Sequence, residues 1–419
     1  MPRRNPNSAV QPVTGSKAVT GRLPALSVAT LLVVVILSTG CGGSAEQGSS
    51  DEPGDPGGSG EATQTEPTQS GTPPAEDTGT PEPESTTANT GPVQVETSVV
   101  ATGLEAPWGL VFTPDGEALV TERDSSRLLS VDSSGNIEEI QRLPENGSGE
   151  GGLLGLALSP DYERDVYVYV YYTTDEDNRV ARMREGEDPE PVLTGIPVLT
   201  YHNGGRIAFG PDGYLYVGTG DAGVTSNSQD LNSLGGKILR VTPDGDVPSD
   251  NPFSGSPVYS YGHRNVQGLA WDANGRLYAS EFGQNRYDEA NIIEPGGNYG
   301  WPEVEGEGGD PNYIDPISTW TTDEASPSGA EILKGGAIPQ WEGDFFMAAL
   351  RGQRLYRLDL DGSGAVVGQE ELLQGEAGRL RHVAQAPDGS LWVLTSNRDG
   401  RGNPVPDDDR ILRLGPAVS

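Results

Sequence analysis

RIAFGPDGYLYVGTGD, residues 206–221, is a pair of short apolar runs joined by Pro-Asp-Gly. Pro suits the second position of a type I turn and Gly the fourth, so the stretch predicts a β-hairpin. The same design recurs on both sides of it. WGLVFTPDGEALVTE starts at Trp108, LLGLALSPDYERDVYVYV at Leu153, GLAWDANGRLYASE at Gly268, AIPQWEGDFFMAAL at Ala337 and HVAQAPDGSLWVLT at His382. The turns fall near Pro114, Pro160, Pro211, Asp272, Glu342 and Pro387, about 45 to 70 residues apart, which leaves room for four strands per unit. A small sheet with two apolar faces cannot cover both by itself, whereas six sheets stacked round an axis cover one another. The pattern therefore predicts an all-β chain, a six-bladed β-propeller with four antiparallel strands per blade, over residues 92–419; two packed sandwiches are the competing architecture. Composition agrees: 59 Gly and 34 Pro in 419 residues suit many tight turns and exclude a helix bundle or coiled coil.

Outward from the repeats, the N-terminal part has another character. Residues 1–22 carry Arg3, Arg4, Lys17 and Arg22 with no acid, ahead of an apolar run at 23–37 that is too short to span a bilayer comfortably. The run ends LSTGC, so residues 1–40 read as a lipoprotein signal peptide cleaved before Cys41, the chain's single cysteine. The expected product is acylated at Cys41 and held at the outer face of a bacterial cell membrane, outside the cytoplasm. Residues 41–91 read as a disordered acidic linker rich in Gly, Pro, Ser and Thr, with ten acids and no Lys or Arg. The whole chain has 27 basic and 62 acidic residues, a net charge of -35. Without the four bases of the leader and the ten acids of the linker, 23 bases face 52 acids and the remainder is still at -29. Such a surface repels a nucleic-acid backbone, and a lipid is the one membrane contact expected.

In each predicted hairpin, the residues before the first strand and after the second lie at the same end, opposite the turn. Those ends carry Glu150, His202, Asn203, Asp221, His263, Arg264, Asn265, Glu281, Arg351, Arg379 and Arg381. All three histidines of the chain, His202, His263 and His382, fall at such ends. His202 enters the hairpin through Asn203-Gly204-Gly205 and Asp221 leaves it, so an imidazole base oriented by a carboxylate is plausible there. Arg264, Arg351, Arg379 and Arg381 would bring four positive charges to one mouth of an acidic protein. That set suits a polycarboxylate better than a neutral sugar; pairing with the surplus Asp and Glu is the competing reading.

GEGGLLGLALSPDY, HNGGRIAFGPDGYLYVGTGD, GHRNVQGLAW, SEFGQNRYDEAN with GGNYGWP, LRGQRLYRLDLDG and RLRHVAQAPDG together resemble the soluble PQQ-dependent glucose and aldose sugar dehydrogenases, quinoproteins of the glucose/sorbosone dehydrogenase kind, over roughly residues 99–414. The resemblance implies a six-bladed propeller that binds PQQ and Ca²⁺ at its mouth and oxidises an aldose at C1 to the lactone. It makes His202 the base, Asp221 its partner and Arg264 the group facing negative charge on the quinone oxygen. Glu150, Asn265, Arg351, Arg379 and Arg381 would hold PQQ, and the backbone carbonyls of Gly283 and Gln284 would meet Ca²⁺. The chain departs from the family at three of these positions: Glu150 stands for a Gln, Arg351 for a Lys and Gln284 for a Pro. Two other classes stay open on the residues alone, a calcium-dependent sugar lactonase and a non-enzymatic propeller that binds a glycan or a protein. The natural electron acceptor is left open, and a monomer is favoured.

Overall fold

The computed structural model describes residues 94–144 and 147–417. The expected leader, Cys41 and the acidic linker lie outside the described residues. Six antiparallel sheets of four strands each make up the fold. Their first strands are Pro107–Phe112, Leu153–Leu158, Ile207–Phe209, Val266–Trp271, Pro327–Ile332 and Leu380–Gln385, defining blades 1 to 6. Each touches the next in this order, and the sixth touches the first, so they form a closed ring around the axis. The all-β six-bladed propeller is the observed architecture. Closure is made by the first and last of the described strands: Val95–Ala101, before the first hairpin, pairs antiparallel with Ile411–Pro416 as the outermost strand of blade 6, with Thr97 opposite Leu414.

The Pro-Asp-Gly sites behave as the turn chemistry requires. The N–H groups of Gly116, Gly213 and Gly389 each donate to the carbonyl three residues back, on Thr113, Gly210 and Ala386. The core lies between blades. Tyr169, Tyr171, Ile207, Val217, Leu239 and Val258 pack blade 2 on blade 3. Trp341, Phe346, Leu355, Leu391 and Val393 do the same for blades 5 and 6. With both faces covered, middle strands read as unbroken apolar runs; Val168–Thr173 is buried at every position. Outer strands such as Ile137–Arg142 carry acids and stay largely in water, which also blunts the edges.

Two hairpins differ from the sequence reading. In blade 2 the turn is replaced by a longer connection holding the one-turn helix Tyr162–Asp165. In blade 5 the apolar run at Ala337 is no strand. Pro339–Trp341 forms a 3-10 turn that plugs Trp341 into the core, and the first strand is Pro327–Ile332, upstream. That strand reads as Pro-Ser-Gly-Ala because it lies beside the crowded axis. A Cβ on Gly329 would collide with the ring of His382.

Candidate active site

The hairpin of blade 3 brings His202 and Asp221 together through its own ladder. Gly205 N–H donates to Gly218 O (2.9 Å), and Ala222 N–H to His202 O (3.1 Å). The two segments approach so closely that a Cβ on Gly220 would overlap the His202 carbonyl, which is why glycine stands there. His202 has φ 57°, a backbone region that costs a non-glycine residue energy and is kept only where the surroundings enforce it. Glu150 is part of that enforcement, its Oε2 accepting the His202 N–H at 2.9 Å.

His202 Nδ1 lies 2.7 Å from Asp221 Oδ1, and Arg264 Nη2 lies 2.7 Å from His202 Nε2. A guanidinium can only donate, so Nε2 presents its lone pair and the ring proton sits on Nδ1, donated to Asp221. The arrangement is that of a base ready to accept a proton at Nε2. Asp221 is fully buried, which pushes its carboxyl up. Hydrogen bonds from His202, the Gly223 N–H (2.7 Å) and the Trp301 indole (2.9 Å) outweigh burial, and its pKa lies below the ordinary value. Arg264 is locked in turn: Gln284 Oε1 accepts from its Nε (2.9 Å) and Nη2 (2.7 Å), and Phe282 O from its Nη1 (3.2 Å).

Beside this group opens a cavity of about 360 Å³ whose lining includes Trp108, Gln267 and Phe282 together with Arg123, Arg351, Arg379, Arg381 and Arg401. Glu150 and Phe282 line the cavity and also bond His202 and Arg264, so base and cavity adjoin. Of the sequence-predicted arginines, Arg351, Arg379 and Arg381 converge here; Arg264 does not and faces His202 instead. Most of the arginines have acidic partners, as the competing reading expected. Arg379 Nη2 holds Asp399 at 2.8 Å, Arg401 holds Glu150 at 2.7 Å, and the half-exposed Arg351 holds the exposed Asp323 at 2.5 Å. Arg381 is the exception: buried, with Asp399 at 3.6 Å already engaged, it bonds Gln267 Oε1 (2.9 Å) and leaves its Nε without a partner. Burial pushes Arg381 down to about 9, so it remains a cation at neutral pH.

Other expected site residues are placed differently. Asn265 lies beneath the base, its Oδ1 accepting the Gly204 N–H at 2.9 Å, and is not among the cavity lining. His263 is wholly buried between Glu281 (2.7 Å) and Ser260 (2.8 Å) and stacks on Tyr299. His382 is buried at the axis with Nε2 on Leu110 O at 3.1 Å. Both are core histidines held by fixed partners, and the expectation that all three histidines reach the mouth holds for His202 alone. Gly283 and Gln284 turn their N–H groups to Asp288 (2.9 Å) and Glu305 (2.6 Å). Among the described residues no group of three His, Cys, Asp or Glu side chains is arranged as a metal cage. A cation at this loop would need carbonyl oxygens to complete its shell, beside at most the two carboxylates Asp288 and Glu305. Arg123, Asp399, Arg401 and Trp301 escaped the sequence reading. Arg123 follows the second strand of blade 1 just as such residues follow the others, so the blade-end rule could have found it. Asp399 and Arg401 lie in the long connection of blade 6, which carries no repeat signal.

The glucose/sorbosone dehydrogenase family matches residues 104–412. A solved PQQ-bound aldose sugar dehydrogenase from Streptomyces coelicolor is 53% identical, with a TM-score of 0.72 over 77% of this chain and 99% of that one. A quinoprotein glucose dehydrogenase of Acinetobacter calcoaceticus is 30% identical over 75% of this chain and 87% of its own. An aldose sugar dehydrogenase of Escherichia coli is 31% identical over 74% of this chain and 92% of its own. With this match over residues 104–412, the chain belongs to the glucose/sorbosone dehydrogenase family.

Proposed function

We propose that the protein is a PQQ- and Ca²⁺-dependent aldose dehydrogenase that oxidises the sugar at C1 to the lactone, with His202 as general base. The observation that carries this is the orientation of the His202 ring, its Nε2 lone pair held by Arg264, in a group that adjoins a cavity lined by five arginines in a chain of net charge -35. The residues fit a tricarboxylate. Arg351 holds Asp323 in a solvent-exposed pair, which is weak and exchanges readily for a ligand carboxylate. The buried donor of Arg381 has no protein acceptor to give up. PQQ, when bound, would supply an electrophilic quinone as the acceptor for the hydride from C1. Ca²⁺ would be met by the carbonyl oxygens of Gly283 and Gln284, hard ligands that suit it.

The chain's own part is proton management. The C1 hydroxyl proton passes to His202 Nε2 while the C1–O bond becomes a carbonyl. The imidazolium so formed is stabilised by Asp221, which already holds the Nδ1 proton. Arg264 Nη2 occupies the approach to Nε2, so a substrate hydroxyl binds by taking over that hydrogen bond. The freed N–H is then available to negative charge developing nearby. Glu150 acts on this chemistry through the His202 backbone, and its charge is balanced by Arg401. The test is reconstitution: apo-protein is expected to gain dye-linked aldose oxidation only when PQQ and Ca²⁺ are both added. Oxidation that ignores PQQ, or sugar-lactone hydrolysis in its place, would rule the reading out.

A further inference from the structure

Arg206 is 3% exposed, and among the described residues no carboxylate lies within 4 Å of it. Its Nε donates to the Gln267 carbonyl at 2.8 Å, its Nη2 has no partner, and its guanidinium stacks at 4.2 Å over the Trp108 ring. Burial and the charge of Arg381 push it down to about 9, so it stays protonated at neutral pH. A buried cation without a counter-charge is unfavourable unless something supplies one. Arg206 does not line the arginine cavity, but Trp108 does, and the Arg381 guanidinium lies 5.8 Å from the same ring. Gln267 joins the two cations, its carbonyl taking Arg206 and its Oε1 taking Arg381. Arg123, Arg351, Arg379 and Arg401 each hold a carboxylate of their own, so the cationic excess beside the cavity resides largely in Arg381 and Arg206. Charges in a dry interior act over longer distances than surface charges, because neither water nor salt screens them.

We propose that Arg206 is a positioning residue for the anionic cofactor: acting through Trp108, its uncompensated charge attracts a polycarboxylate into the cavity, and the bound polycarboxylate provides the counter-charge that the fold withholds. This rests on the PQQ reading above. The test is equilibrium binding of PQQ to apo-protein, by calorimetry, without substrate. Arg206→Met is expected to raise the Kd about tenfold, which corresponds to ~1.4 kcal/mol, and to shrink the rise in melting temperature that PQQ produces. Arg206→Lys, which keeps the charge and loses the planar stack, is expected to stay within about threefold of the wild type, and the Met defect should persist in ~0.5 M salt because the charge is buried. If Arg206→Met does not fold, Arg206→Gln is measured in the same way. A wild-type Kd in the neutral variant overturns the assignment. So do equal losses in the Met and Lys variants, which would mean that shape and not charge matters. A lowered apo melting temperature with an unchanged PQQ-induced rise would reduce Arg206 to a structural residue. Wild-type protein that fails to bind PQQ overturns the proposed function itself, an outcome distinct from wild-type binding that survives in Arg206→Met.

Discussion

His202, Asp221 and Arg264 form a chain of hydrogen bonds in which each group fixes the next, and their roles separate on mutation. His202→Ala removes general-base catalysis, worth on the order of 100- to 10,000-fold in rate, while PQQ affinity stays near wild type. Single-turnover reduction of bound PQQ by an aldose checks this, and a wild-type rate in the variant would place the base elsewhere. Asp221→Asn should lose less, because a misoriented imidazole still accepts a proton. Arg379→Ala should weaken PQQ binding by roughly 1.5 to 3 kcal/mol, the range for a charge-assisted bond, since it also leaves Asp399 facing an anion with less compensation. Glu150, which lines the cavity, also holds the His202 backbone, and that contact gives a sharper test. Glu150→Gln keeps an oxygen for the His202 N–H and should remain within a few-fold of wild-type activity. Glu150→Ala leaves a strained backbone amide unheld, a loss of about 1 to 3 kcal/mol, and should lower the rate far more. Equal activity of the two variants would dismiss the backbone contact. The pairing of His202 with Asp221 was legible in the sequence because the two ends of one hairpin must meet. The role of Glu150 was not, because its partners, His202 and Arg401, come from loops that no local pattern connects.

At the scale of elements, Pro-Asp-Gly gave away the inner hairpins because turn chemistry is local: one residue presets φ and another tolerates the opposite sign. Blade 5 was misread because the residues of an innermost strand answer to crowding at the axis and not to β-propensity. Gly329 makes that point testable. Its φ is ordinary, so a Gly329→Ala change strains the structure only through the collision of the new Cβ with His382. Overpacking of this kind costs about 1 to 3 kcal/mol. Chemical denaturation should show that loss in the single variant and a partial recovery when His382→Ala is added, since the two sites are in contact and not additive. Full additivity would mean that the axis has room to spare. The outer strands were legible only by count, because four strands were needed between successive turns. Ile137–Arg142, exposed for most of its length and carrying two acids, shows how little apolar signal such a strand can have.

Over the whole molecule, charge is the feature that composition announces and no single contact resolves. Residues 92–419 keep 52 acids against 23 bases, so self-repulsion opposes the compact state while exposed ion pairs such as Arg164 with Asp161 return little. Added NaCl should therefore raise the melting temperature between about 0.01 and 0.5 M, as the Debye length falls from about 30 Å toward a few. A flat or falling curve would mean that ion pairs outweigh the excess. The same charge bears on where the protein resides. Residues 41–91, with ten acids and no base, and the acidic residues 92–419 are both repelled by anionic lipid. Cys41 follows the apolar run at 23–37 and Ser38-Thr39-Gly40. We propose acylation there, with the propeller carried outside the cytoplasm. The full chain is expected in the membrane fraction and resistant to high-salt washing, because a lipid anchor does not depend on charge. Cys41→Ser should move it to the soluble fraction with aldose oxidation intact, and unchanged fractionation of that variant would disprove the anchor.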